Sequence, residues 1–164
     1  MNAESGIRLA PVNGISALSH LFPAQKEQHI NCYSLNLLLF SVCGVHFGVD
    51  AGQVSEIAVY AGEQAEDLFW FHEELEYGAA AAAVTYLSPT VVTIRTGRVQ
   101  SYRVVIDSME DIADFSQNDI CLFPALLEPF TLQNGLWGIL PRDGRMVLLV
   151  DFKRLLMHRH PELR

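Results

Sequence analysis

The chain has 164 residues, enough to bury a core without disulfide or metal staples, and eleven Lys plus Arg against nineteen Asp plus Glu leave a net charge of −8. That balance repels polyanions and argues against nucleic acid as a ligand. Half the residues are hydrophobic and 18% are charged, a composition for a greasy interior or an extensive sticky surface.

Residues 1–33 carry Pro11, Gly14 and Pro23 and read as a partly ordered extension. The early Glu4 and the lack of a long apolar block speak against an export signal. From Ser34 the pattern becomes regular. Leu38, Phe40 and Val42 share one strand face, Cys43-Gly44 makes a turn, and Val45, Phe47 and Val49 alternate with His46 and Gly48, which predicts a hairpin. "VSEIAVY" (54–60) continues as a third strand. In "GEQAEDLFWFHEELEYG" (62–78) the early acids Glu63, Glu66 and Asp67, the helical spacing of Leu68, Phe71 and Leu75, and a terminal Gly78 predict a helix. The alanines 79–83 extend it or form a loose connector.

Beyond Pro89, "VVTIRTGRVQSYRVVID" gives two strands around Thr96-Gly97, and "LWGILPRDGRMVLLVDF" gives two more around Asp143-Gly144. Asp107 to Phe130 is acidic, then proline-bearing, and reads as a connector with room for a turn of helix. "FKRLLMHRH" closes as a short basic helix before Pro161. Two uncharged stretches, 28–49 and 77–94, approach membrane-spanning length, but their Gln, His, Asn and Ser content and the Ser88-Pro89-Thr90 break argue against insertion. Many short strands with one or two helices point to a mainly β fold of antiparallel barrel type.

Chemistry-bearing groups are sparse. Cys32, Cys43 and Cys121 are odd in number and widely spaced, which suits a reducing cytoplasm. Cys43 and His46 flank a turn and could join Cys32 and Cys121 around zinc, but structural zinc ligands come in close pairs, so buried thiols and an outward His46 are expected. His158 and His160 read as a solvated basic tail. The acids Asp107, Glu110, Asp111, Asp114 and Asp119 lack the spacing of a calcium loop and read as a solvated connector. Glu73, Glu74 and Glu76 read as a wet helix face. No phosphate loop, dinucleotide fingerprint or nucleophile elbow occurs, so no catalytic residue or cofactor is expected. "LFWFHEELEY" holds more large apolar residues than one helix stripe buries. Phe69, Trp70 or Tyr77 then either marks a partner site or covers a gap in an incomplete barrel.

Three segments in order resemble the CheW-like family, the coupling domains of bacterial chemosensory arrays. "LNLLLFSVCGVHFGVDAGQVSEIAVY" is similar to its opening, with Phe47, Val49 and Asp50 in the middle and Val54, Glu56 and Ile57 in the Val-x-Glu-Ile step. "YRVVIDSMEDIADFSQNDICLFPALL" and "LWGILPRDGRMVLLVDFKRLL" resemble its central stretch and closing hairpin, the latter at Gly138, Gly144-Arg145, Asp151 and Leu155-Leu156. The resemblance covers about residues 35–157 and implies two intertwined small SH3-like β-barrels without catalysis. It implies a cytoplasmic adaptor that bridges the tips of chemoreceptors to the regulatory domain of a histidine kinase.

The family's Asn-x-Arg-Gly-x-x-hydrophobic-Pro hairpin is absent, and Ala58 stands where an Arg often follows the isoleucine. One barrel is therefore expected to be incomplete, covered by the helix bearing Phe69 and Trp70 or by a second copy of the chain. The expected organisation is an extension 1–33, a CheW-like domain 34–157 and a tail 158–164. Val54 and Glu56 match the family's receptor-contacting face, and Phe69 and Trp70 join them as candidate partner-binding residues. The rival readings are a self-associating accessory scaffold without kinase coupling and a small metal-binding protein using Cys43 and His46.

Overall fold

The computed structural model describes residues 33–76, 84–95 and 101–161, all within the unit Cys32–Arg164. The expectations for residues 1–32, for Cys32, for Tyr77 to Ala83 and for the Thr96-Gly97 turn fall outside the described residues. The described chain is mainly β, with nine strands in two sheets.

The first sheet joins both ends of the domain. Its five strands lie in the order β7-β1-β2-β9-β8: β1 (Ser34–Val42), β2 (Val45–Asp50), β7 (Met109–Ser116), β8 (Leu136–Arg142) and β9 (Arg145–Val150). The expected hairpins β1/β2 and β8/β9 form, with Cys43-Gly44 and Asp143-Gly144 all at positive φ, as a tight two-residue turn requires. β2 and β9 run parallel, pairing Val49 with Val150, so the sheet is mixed where an all-antiparallel one was expected. Past β7 the chain turns and Cys121 exchanges two 2.8 Å main-chain hydrogen bonds with Ile139 of β8. That single bridge draws the ends of the sheet together without closing a complete ring of paired strands.

The second sheet has four strands in the order β3-β5-β6-β4: β3 (Val54–Val59), β4 (Leu68–Trp70), β5 (Thr90–Ile94) and β6 (Tyr102–Ile106). β4 runs parallel to β6, pairing Phe69 with Val104. Two corrections follow. The helix expected over 62–78 does not form across its described part: 60–67 form no strand or helix, β4 follows, and α1 spans only Phe71–Glu74. Strand pairing with β6 supplies main-chain partners along a buried edge, and this outweighs the helical spacing of Leu68, Phe71 and Leu75. Nor is 107–116 a solvated connector. Met109–Ser116 is an edge strand whose acids are cross-strand partners, Asp114 to Asn36, Asp111 to Arg142 and Glu110 to His46. An edge strand tolerates such charges because one side faces water.

β1 is buried on both faces, and that divides the interior in two. Leu37 and Leu39 point into the hollow of the first sheet with Leu140, Val147 and Leu149. Leu38, Phe40 and Val42 point the other way, into a core shared with Val92, Ile94, Val104 and Ile106 of the second sheet. Phe71 is the plug of that shared core, edge-on to Phe40 at 5.1 Å and to Phe47 at 4.8 Å between ring centroids. α2 (Glu128–Gln133) and α3 (Phe152–Arg159) cover the end of the molecule. Gly135, at φ +69°, lets the chain return to β8: a Cβ there would lie 2.8 Å from the Asp151 carbonyl oxygen.

Candidate functional site

β3 is an edge strand, and its sequence sorts its side chains. Val54 and Ile57 are half-buried against the shared core, while Ser55, Glu56, Ala58 and Val59 are exposed. A break in register between Val54 and Glu56 bulges the strand at Ser55, whose hydroxyl donates to the Thr93 carbonyl at 3.1 Å. Bulges re-aim side chains at sheet edges. Here Val54, Ser55, Glu56 and Ile57 line a groove of about 330 Å³, closed by Leu38, Ala51 and Ile112. Ile112 of β7 is 48% exposed, and the Glu56 carboxylate has no ion-pair or hydrogen-bond partner among the described residues. The groove is therefore an apolar trough between two edge strands, with one unspent negative charge on its rim.

Val54 and Glu56, paired by sequence reasoning, are thus brought together, and Ile112 is the residue that reasoning missed. Its signal was masked by the acids around it, which made β7 read as a loop. Phe69 and Trp70 stand on β4, the opposite edge of the same sheet, and not on a helix. Phe69 packs on the shared core and on His160, 4.4 Å between ring centroids. Trp70 lies between Tyr60 at 5.3 Å and Tyr86 at 5.0 Å, both edge-to-face.

The remaining clusters are structural. Asp50 and Asp151 lie side by side at the ends of parallel β2 and β9 and line a cleft of about 570 Å³ with Trp137 and Arg154. Each carboxylate serves as a cap, Asp50 accepting from Gly52 N at 2.8 Å and Asp151 from Arg154 N at 3.0 Å. His46 contacts Glu110 at 2.7 Å. Cys43 and Cys121 are free and exposed, which corrects the expectation of buried thiols: Cys43 occupies the tip of the β1/β2 turn, away from either core cluster. Among the described residues no group of three His, Cys, Asp or Glu side chains is placed to hold a metal ion. Of the histidines expected to be solvated, His158 is exposed on α3, but His160 lies 2.9 Å from the Glu74 carboxylate, which belongs to α1 and is no wet helix face. Glu76 meets Arg159 in the same way.

Asp107 is only 4% exposed and accepts from Leu87 N at 3.0 Å and Ser88 N at 2.6 Å, so it ties the entry of β5 to the exit of β6. Arg103 grips Asp67 with two hydrogen bonds, 2.9 and 3.1 Å, and holds that carboxyl below the usual carboxylate range. Among the described residues no helix is long and apolar enough to cross a membrane.

Neither a protein-family model nor a curated protein matches the sequence. The fold does match a solved structure, that of the scaffolding protein TtCheW from Thermoanaerobacter tengcongensis, at 14% sequence identity and a TM-score of 0.56 over 76% of this chain and 93% of that one. The likeness is one of fold: mainly β, two small SH3-like units, with few helices.

Proposed function

We propose that the chain is a non-enzymatic, CheW-like adaptor or scaffold of bacterial chemotaxis-type signalling, acting in the cytoplasm through its surface. The observation that carries this reading is the groove between β3 and β7. It is apolar along its floor, open along its length and edged by the unpaired Glu56, which suits the side of another protein and offers no convergent reactive groups. The shared fold with a chemotaxis scaffold supports the class of activity. The sequence resemblance at Val54, Glu56 and Ile57 supports the position. The partners of this reading are a chemoreceptor cytoplasmic tip and the regulatory domain of a histidine kinase.

Titration calorimetry of the full chain against receptor-tip fragments and against kinase regulatory domains tests the proposal. Binding to either one, weakened about tenfold by Glu56→Lys or Ile112→Asp at unchanged thermal stability, is the expected result. A chain that dimerises and binds neither would replace coupling with self-association.

A further inference from the structure

Away from the groove, Val59, Tyr60, Trp70, Tyr86 and Leu87 form a second patch that the proposed coupling does not use. The main-chain hydrogen bond from Tyr60 N to the Pro89 carbonyl, 3.2 Å, brings the end of β3 beside the segment that leads into β5. Trp70 fills the space between the two tyrosine rings, and the Tyr86 hydroxyl lies 3.0 Å from His72 Nδ1. Val59 and Leu87, at its rim, are 83% and 85% exposed. Contiguous apolar and aromatic surface of this kind marks a contact site in a folded protein.

The charge carried by the stretch of chain that supplies the patch has one sign. Residues 54–94 hold seven carboxylates, at positions 56, 63, 66, 67, 73, 74 and 76, and no Lys or Arg. Asp67 and Glu63 are partnered by Arg103, Glu76 by Arg159 and Glu74 by His160. Glu66 and Glu73 have no ion-pair partner among the described residues. Glu73 is the residue after His72 on α1, and the His72 main-chain N and ring Nδ1 lie 3.4 and 3.0 Å from the Tyr86 hydroxyl, so Glu73 adjoins the residue that contacts the ring cluster. π faces beside unspent carboxylates select a cation that is weakly hydrated and flat, which is the description of a guanidinium. An anionic lipid surface or a nucleic acid would be repelled.

We propose that Tyr60, Trp70 and Tyr86, with Glu73 beside them and Val59 and Leu87 at the rim, form a docking surface for an extended, arginine-bearing segment of a partner protein. The segment lays guanidinium groups against the rings and their charge towards Glu73, while its apolar residues cover Val59 and Leu87. This surface is separate from the groove at Glu56, and its occupant is defined by charge and shape.

The test uses the full chain carrying Trp137→Phe, which leaves Trp70 as the single tryptophan. A short synthetic peptide of alternating arginine and proline is titrated in, with lysine and glutamate versions as comparisons. The expected result is a saturable change in Trp70 emission with the arginine peptide, weaker with lysine and absent with glutamate. Glu73→Lys, an exposed change that removes no packing, should weaken binding about three- to tenfold, and Trp70→Leu about tenfold. Binding of receptor-tip fragments should be unaltered by Glu73→Lys and weakened about tenfold in Glu56→Lys, so failure of one surface is distinguishable from failure of the other. No emission change, equal affinity for the glutamate peptide, or unchanged affinity in Glu73→Lys would each overturn the proposal. Equal arginine affinity in a folded Trp70→Leu chain, read by calorimetry, would do the same.

Discussion

The two sheets solve the same closure problem by different means. In the first, five strands come from both ends of the domain, β1 is apolar on both faces, and the sheet's two ends meet through the main-chain bridge of Cys121 and Ile139. In the second, four strands leave β3 and β4 as free edges, and the space near their ends is filled by side chains: Tyr60 on Trp70, Trp70 on Tyr86, and Asp67 clasped by Arg103. Main-chain closure is cooperative and hides its polar groups. Side-chain closure leaves edges and rings half exposed, and such surfaces are where partners attach. The contrast explains why both candidate contact surfaces involve an edge of the four-stranded sheet, the groove sharing its other wall with β7 of the first.

The strongest way to break the comparison is Phe71→Ala, because Phe71 touches Phe40 and Phe47 of the first sheet from its place beside the second. Urea unfolding should show a loss of about 3–5 kcal/mol, in one transition if the shared core makes the sheets a single cooperative unit. Two separated transitions would show that the sheets fold independently. Next in size is Asp107→Ala, which orphans the amides of Leu87 and Ser88. It should cost about 2–3 kcal/mol by the same measurement and loosen the second sheet first.

Amide hydrogen exchange sharpens the contrast without mutation. Leu68–Trp70 of β4 should open at a free energy on the order of 2 kcal/mol below that of Leu37–Phe40, and equal protection would erase the distinction. The smallest effect is acid dependence at Asp67. Its folded-state pKa is depressed, so its contribution is fully present above the ordinary carboxylate value of 3.8 and is lost as the pH falls through the lower folded value. Asp67→Asn should therefore flatten the acid limb of stability below about pH 4, by about 1 kcal/mol or less, because the pair is partly exposed.

Much of the five-stranded sheet was legible residue by residue. Cys43-Gly44 and Asp143-Gly144 announce their turns through local backbone preference, and alternation in 45–49 shows which residues face inward. The second sheet was legible at β3, β5 and β6, where β-branched residues dominate, but not at β4. Leu68, Phe69 and Trp70 have no alternation to read, and only β6 alongside makes them a strand. Met109–Ser116 was hidden for the opposite reason: its acids suit water, and its pairing with β1, whose nearest partners in sequence are Phe40 and Met109, leaves no local trace.

For the candidate groove, Val54 and Glu56 were named from the chain alone, while Ile112 came from the meeting of β3 with β7. Local composition and turn chemistry thus determined the strands with matching neighbours in sequence and the mainly β class. Tertiary structure decided which strands became edges, which acids found cations and which aromatics stayed half exposed. Those outcomes depend on side chains far apart in the chain arriving at one place, and no short window of sequence contains that information.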